Sequence, residues 1–131
     1  MKTFFTILTA FVLILFVPKA NSQVLLGATV NTVKQFFIDY PQSQFVNQQG
    51  DSMLTYKVSS GHNIYYFKDN VCLMVGLTFP DSWYEQMCAD LNSKYQIIGI
   101  DMWKAHIKEN EYWIYELKPL TKGFIIYVYK E

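Results

Sequence analysis

Six stretches in which apolar and polar residues alternate, separated by turn-forming residues, leave this chain few folds to choose from. Strand periodicity is two, so alternation marks an element with one buried and one exposed face. The stretches are Met53 to Val58, Asn63 to Lys68, Val71 to Phe79, Gln96 to Lys104, Glu111 to Leu117 and Gly123 to Lys130. In the first, Leu54, Tyr56 and Val58 share a face. In the third, Val71, Leu73, Val75, Leu77 and Phe79 share one, which sets Cys72 on the other. Asp69-Asn70 between the second and third predicts a two-residue hairpin turn, because both residue types tolerate positive φ. Gln42 to Ser52, rich in Gln and Asn, reads as loop with room for a short strand at Phe45-Val46.

Two segments carry helical spacing instead. Val30, Val33, Phe37 and Tyr40 follow a capping Thr29 and predict a helix to about Asp39, which Pro41 stops. Ser82-Trp83-Tyr84-Glu85 fits a capping box, and Tyr84, Met87, Cys88, Leu91 and Tyr95 then recur on one helix face. The order is helix, strands, helix, strands, with the helices about 54 residues apart in the sequence. The expected fold is therefore α+β: a single antiparallel sheet of about six strands with two helices on one face, built as a helix–meander pseudo-repeat.

Ahead of this domain lies an N-terminal segment of a different kind. Lys2 precedes an uncharged apolar run from Phe4 to Val17, and Ala20 and Ser22 place small residues before Gln23. That is the three-part pattern of a secretory signal, and the run is short of the roughly 20 residues a membrane-spanning helix needs. Residues 1–22 are expected to be a signal peptide and residues 23–131 a single domain, exported to the periplasm or secreted, with no membrane span. The chain has no arginine, and residues 23–131 hold nine lysines against 11 acidic residues. A slightly acidic domain without the guanidinium forks that grip phosphate is a poor candidate for nucleic acid. It also contains no Asn-x-Ser/Thr sequon.

Catalytic and metal chemistry find little support. His62 in a turn and His106 among lysines are the only histidines, and neither has a partner at metal-ligand spacing. Asp101, Glu111 and Glu116 fall on neighbouring predicted strands, where a carboxylate pair for glycoside hydrolysis could form. Cys72 and Cys88 flank Pro80 by eight residues each. Eight residues of strand cover about 26 Å and eight of helix about 12 Å. The thiols would thus stand out of register by more than the roughly 7 Å between Cα atoms that a disulfide tolerates. They are expected to be unpaired.

Aromatic residues supply the positive signal. If Val71, Leu73, Ile98, Ile100, Phe124 and Ile126 face the helices, alternation turns Trp103, Tyr127 and Tyr129 outward. Trp113 and Tyr115 share a face as well, with Ile114 competing for the buried side. Such a face can anchor a protein or peptide or stack on a glycan. The hairpin Tyr65-Tyr66-Phe67-Lys68-Asp69-Asn70-Val71-Cys72, running on to Phe79-Pro80 and a capped helix, resembles that of small uncharacterised exported bacterial proteins. The resemblance implies export and carries over no activity and no functional residue. The sequence thus points to an exported, non-enzymatic binding domain without cofactor. Its candidate binding residues are Trp103, Trp113, Tyr115, Tyr127 and Tyr129. The rival readings are a small carboxylate-dependent hydrolase and a periplasmic inhibitor or immunity-type protein.

Overall fold

The computed structural model describes residues 24–49 and 51–131; the apolar N-terminal segment and the junction at 22/23 lie outside the described residues. Helix α1 (Val30–Phe36) is followed by strands β1 (Gln42–Val46), β2 (Ser52–Val58), β3 (Gly61–Lys68) and β4 (Val71–Phe79). Helix α2 (Tyr84–Lys94) is followed by β5 (Gln96–Gly99), β6 (Met102–Lys108), β7 (Glu111–Pro119) and β8 (Phe124–Lys130). All eight strands form one antiparallel sheet in the order β1-β2-β3-β4-β8-β7-β6-β5. Each half is a helix and a four-stranded meander, and the two fourth strands pair at the centre. The order therefore reads the same from either edge, as expected of a helix–meander repeat. No helix among the described residues is long and apolar enough to cross a membrane.

The sheet has eight strands where alternation gave about six, and two local features account for the difference. The Gln- and Asn-rich segment after Pro41 contributes β1, an edge strand exposed along its whole length. The stretch Gln96 to Lys104 is not one strand. Asp101 adopts φ 55°, the left-handed conformation that a short polar side chain tolerates, so the chain reverses at Ile100-Asp101 and makes β5 and β6 a hairpin. The turn at Asp69-Asn70 forms as expected, with φ 51° and 63°.

Both helices lie against the same face. Thr29 caps α1 by accepting from the Thr32 amide, and Phe37, one residue past the helix, stacks on Tyr56 with ring centroids 4.5 Å apart. In α2 the capping box does not form. Asp81–Trp83 make a 3-10 turn, and Trp83 occupies the cap position without a side-chain bond. Leu91 of α2 is buried, Tyr84 meets Phe124 edge-on at 5.6 Å, and Tyr95 stacks on Tyr115 at 5.0 Å. Tyr56, Tyr115 and Phe124 project from one side of the sheet, and with Leu54, Tyr65, Val75, Leu77 and Val128 they form the core.

A β-bulge resets the alternation of β4. Tyr66 pairs with Met74 and Phe67 with Cys72, which leaves Leu73 as the extra residue. Cys72 consequently turns into the core, 2% exposed, while Val71 and Leu73 face outward. The backbone groups of Cys72 are taken up by the segment before α1: Gly27 donates to the Cys72 carbonyl at 2.9 Å, and the Cys72 amide donates to Ala28 at 2.8 Å.

Gly123, at the start of β8, has φ 84°, and a Cβ there would collide with the Phe79 carbonyl. Gly123→Ala should lower stability by more than about 1 kcal/mol. Gly27→Ala, at a similar φ of 85° but with open space around the new methyl, should cost less. Urea denaturation of the two variants checks this, and equal losses would show that backbone strain alone sets the cost.

Candidate binding face

The side of the sheet away from the helices is built by register. One row across it runs Met53, Tyr66, Met74, Tyr129, Ile114 and Lys104. The next runs Thr55, Ile64, Gly76, Tyr127, Glu116 and Met102. The third begins with Lys57 opposite His62 and ends with Thr78, Ile125 and Lys118. His62 is tied to Thr78, whose hydroxyl accepts from its amide at 2.7 Å.

The middle of this face is close-packed although neither α1 nor α2 covers it. Gly76, Ile114 and Ile125 are buried by their neighbours. The ring of Tyr127 and the tip of Ile125 lie over Gly76, close enough that an added methyl would press on Ile125. Tyr66 is half-buried, and its phenol pKa is raised, first by burial and then by the adjacent Tyr127. The Tyr129 hydroxyl donates to Glu116 Oε1 at 3.2 Å, and Lys118 holds the other oxygen of that carboxylate at 3.3 Å. At one flank Lys104 reaches Glu131 at 2.9 Å and sits 4.6 Å from the centre of the Tyr112 ring, on which His106 stacks. The result is a surface with Tyr66, Tyr127, Tyr129 and three methionines at its centre, Tyr112 at one flank and charged groups around it.

Two of the five expected binding residues, Tyr127 and Tyr129, lie on this face, and three do not. Trp103 is 3% exposed on the helix side, where its Nε1 donates to Asn92 of α2 at 2.8 Å. The reason lies in the residues that anchored the expected alternation: Ile98 falls at the register shift between the Ile97–Trp103 and Gly99–Met102 pairs and Ile100 lies in the turn, so neither fixes the core side, which Trp103 takes. Ile98 and Ile100, expected in the core, are exposed. Trp113 and Tyr115 do share a face, but it is the helix side. Tyr115 is buried there, and Trp113 donates to Glu111 Oε2 at 2.9 Å. Ile114 takes the helix-free side between them.

Met53, Tyr66, Met74 and Met102 were not singled out from the sequence. The signal for two of them was present. Met53 alternates with Leu54 and Tyr56, and Tyr66 with Tyr65 and Phe67, so each had to face away from the core. Trp83 was also passed over. It stacks on Phe79 at 5.6 Å in the link between the halves and is 42% exposed, more than the other two tryptophans.

The groups considered for catalysis are dispersed. Glu116 lies on the helix-free face, Glu111 on the opposite side, and Asp101 in the β5–β6 turn, where Tyr84 donates to it at 3.5 Å. Trp113 and, secondarily, Lys130 and Lys108 hold the Glu111 carboxyl below its ordinary pKa. Among the described residues, no group of three His, Cys, Asp or Glu could hold a metal ion. Cys72 and Cys88 are free thiols. Both border the core, so the opposite facing expected of them does not hold. Burial pushes the Cys72 thiol up to about 11 and raises that of Cys88 as well. Compared with known proteins, the chain matches no family model, no curated protein and no solved structure.

Two outcomes are expected. Trp103→Ala should destabilise the fold by about 3–5 kcal/mol, the range for emptying a core aromatic site, whereas Tyr127→Ser and Tyr129→Ser, at half-buried positions, should each cost about 1–2 kcal/mol. Comparable losses in chemical denaturation would mean that the helix-free face is structural. In native protein at neutral pH, Cys72 should resist alkylation and react only on unfolding, because the thiolate is the nucleophile. Rapid labelling of Cys72 in the folded state would contradict its burial.

Proposed function

We propose that this protein is an exported, non-enzymatic interaction domain that binds another protein or a peptide on its helix-free sheet face. One observation carries the reading: Tyr66, Tyr127 and Tyr129 lie in adjacent rows with Met53, Met74 and Met102 on a face that neither helix covers. Tyrosine offers a large, stiff contact area with a polar tip, and methionine adapts its shape to a partner. Of the four methionines after Met1, only Met87 packs with the core. That distribution favours a polypeptide over a glycan, since sugars stack on rings and gain little from thioethers.

Export rests on the sequence of residues 1–22. Intact-mass measurement of the protein recovered from the cell envelope or the medium should give a chain beginning at Gln23. Recovery of the full-length chain from the cytoplasm would overturn this part of the reading.

The binding surface is tested by comparison. Wild-type protein used as bait should retain a partner that the Tyr127→Ser/Tyr129→Ser double variant loses, with the bait still folded. Equal capture by the two baits would place the working surface elsewhere, with the exposed Trp83 region the next to test.

A further inference from the structure

Resting on the face reading above, we infer that the partner is an acidic polypeptide, one that offers carboxylates around an apolar or aromatic anchor. The inference comes from how charge is distributed between the two sides of the sheet. Lys57, Lys68, Lys104 and Lys118 all fall on the helix-free side by register, against the carboxylates of Glu116 and Glu131. That side carries four lysines and three acids, because Asp51 continues the register of β2 opposite Lys68, a formal +1. Residues 23–131 hold nine lysines and 11 acids in all, so the remainder carries five lysines and eight acids, a formal −3. A chain that is acidic overall thus presents a basic face.

The lysines also have a pattern. Lys57 and Lys118 end the row that passes through His62, Thr78 and Ile125. Lys68 ends β3 on the far side of the centre, and Lys104 closes the row that runs through Tyr66, Tyr129 and Ile114. The four surround the tyrosine and methionine centre. An apolar centre with a charged rim is the usual anatomy of a protein interface, and rim charges select the partner and speed its approach. Glu116 is already neutralised by Lys118, and Glu131 by Lys104. Lys57 and Lys68 have no carboxylate partner among the described residues. These two cations are available to a ligand without breaking an internal pair, and His62 adds a further donor beside Lys57.

The test uses synthetic polymers as probes. A random copolymer of Glu and Tyr, poly-Glu, and a random copolymer of Lys and Tyr are each titrated against immobilised protein at low and high salt. The Glu/Tyr copolymer should bind most tightly, the Lys/Tyr copolymer should not bind, and raising the salt should weaken binding several-fold. The Lys57→Glu/Lys68→Glu variant should bind the Glu/Tyr copolymer at least tenfold more weakly. The Tyr127→Ser/Tyr129→Ser variant should remove the advantage of the Glu/Tyr copolymer over poly-Glu. Both lysines are exposed, so the reversal should leave thermal unfolding near that of the wild type.

The failures are separable. If charge reversal changes nothing while the tyrosine variant abolishes binding, or if the Lys/Tyr copolymer binds equally well, the acidic partner is wrong and the face reading survives. If charge reversal weakens binding while the tyrosine variant leaves the Glu/Tyr preference intact, the attraction is diffuse and the inference falls. Absence of binding by the Glu/Tyr copolymer at about 100 μM also overturns it. The bait comparison described above would then decide the face reading by itself.

Discussion

The pairing of Val75 with Val128, each 0% exposed, is the contact on which the rest of the structure depends. It lies where the two halves meet, and the buried row through it is nearly symmetric: Leu54, Tyr65, Val75, Val128, Tyr115, Trp103. Each half sets a tyrosine beside its central valine, and each tyrosine receives the aromatic residue that ends its own helix. Phe37 lies 5.5 Å from Tyr65, and Tyr95 stacks on Tyr115 at 5.0 Å. The same backbone device delivers both rings, since the Phe37 amide donates to Val33 and the Tyr95 amide to Leu91. Burial raises both phenols above their ordinary pKa, and Asn63 Nδ2 reaches the Tyr65 hydroxyl at 3.3 Å. Loosening the central valine pair would disturb both halves together, because the row carries the sockets of both helices.

Equivalence between the halves weakens on crossing the sheet. On the helix side Tyr65 corresponds to Tyr115, Val75 to Val128, and Phe37 to Tyr95. On the other side Met53 still corresponds to Met102 and Ile64 to Ile114, but Tyr66 corresponds to Glu116, Met74 to Tyr127, and Gly76 to Tyr129. Packing explains the first pattern. Two helices of similar placement need similar sockets, and a close-packed interior resists changes of volume. No helix imposes that requirement on the second side. Its two halves are free to differ, and Gly76 makes room for the side chains of Tyr127 and Ile125.

Most of the architecture was legible in the sequence because alternation, turn chemistry and helical spacing agreed with one another. The strands from Met53 to Phe79, the Asp69-Asn70 turn, both helices and the repeat order all followed from those signals. The errors came from three single residues. Leu73 is inserted by a bulge and turns Cys72 inward. Asp101 takes a left-handed conformation that makes a hairpin of one expected strand. Trp103, paired with Ile97, takes the core side because Ile98 falls at a register shift and Ile100 in the turn, so neither fixes the face as alternation assumed. A shift of one residue exchanges the faces of a strand, so these local conformations decided which aromatics could form the binding face. Neither a bulge nor an Asp at positive φ has a distinctive sequence mark when the residues around it are strand formers. Trp113 and Tyr115 were misassigned for another reason: with Ile114 between them, three large apolar residues in succession satisfy either phase.

The same geometry argues for association through the face and against association through the edges. An exposed edge strand invites another strand by its free backbone groups, and proteins suppress this with short or bulged edges. Both edges here are of that kind. β1 has five residues, and β5 has four with a register shift between Ile97 and Gly99. Ile100, 93% exposed, sits in the turn, where it cannot extend the β5 ladder. A partner strand at either edge would therefore gain only a short ladder. The face offers tyrosine rings, thioethers and, in Lys57 and Lys68, lysines without a carboxylate partner among the described residues, and their use disturbs no backbone pairing. With both edges curtailed and the other side taken by helices, the proposed binding surface is the one that carries Tyr66, Tyr127 and Tyr129.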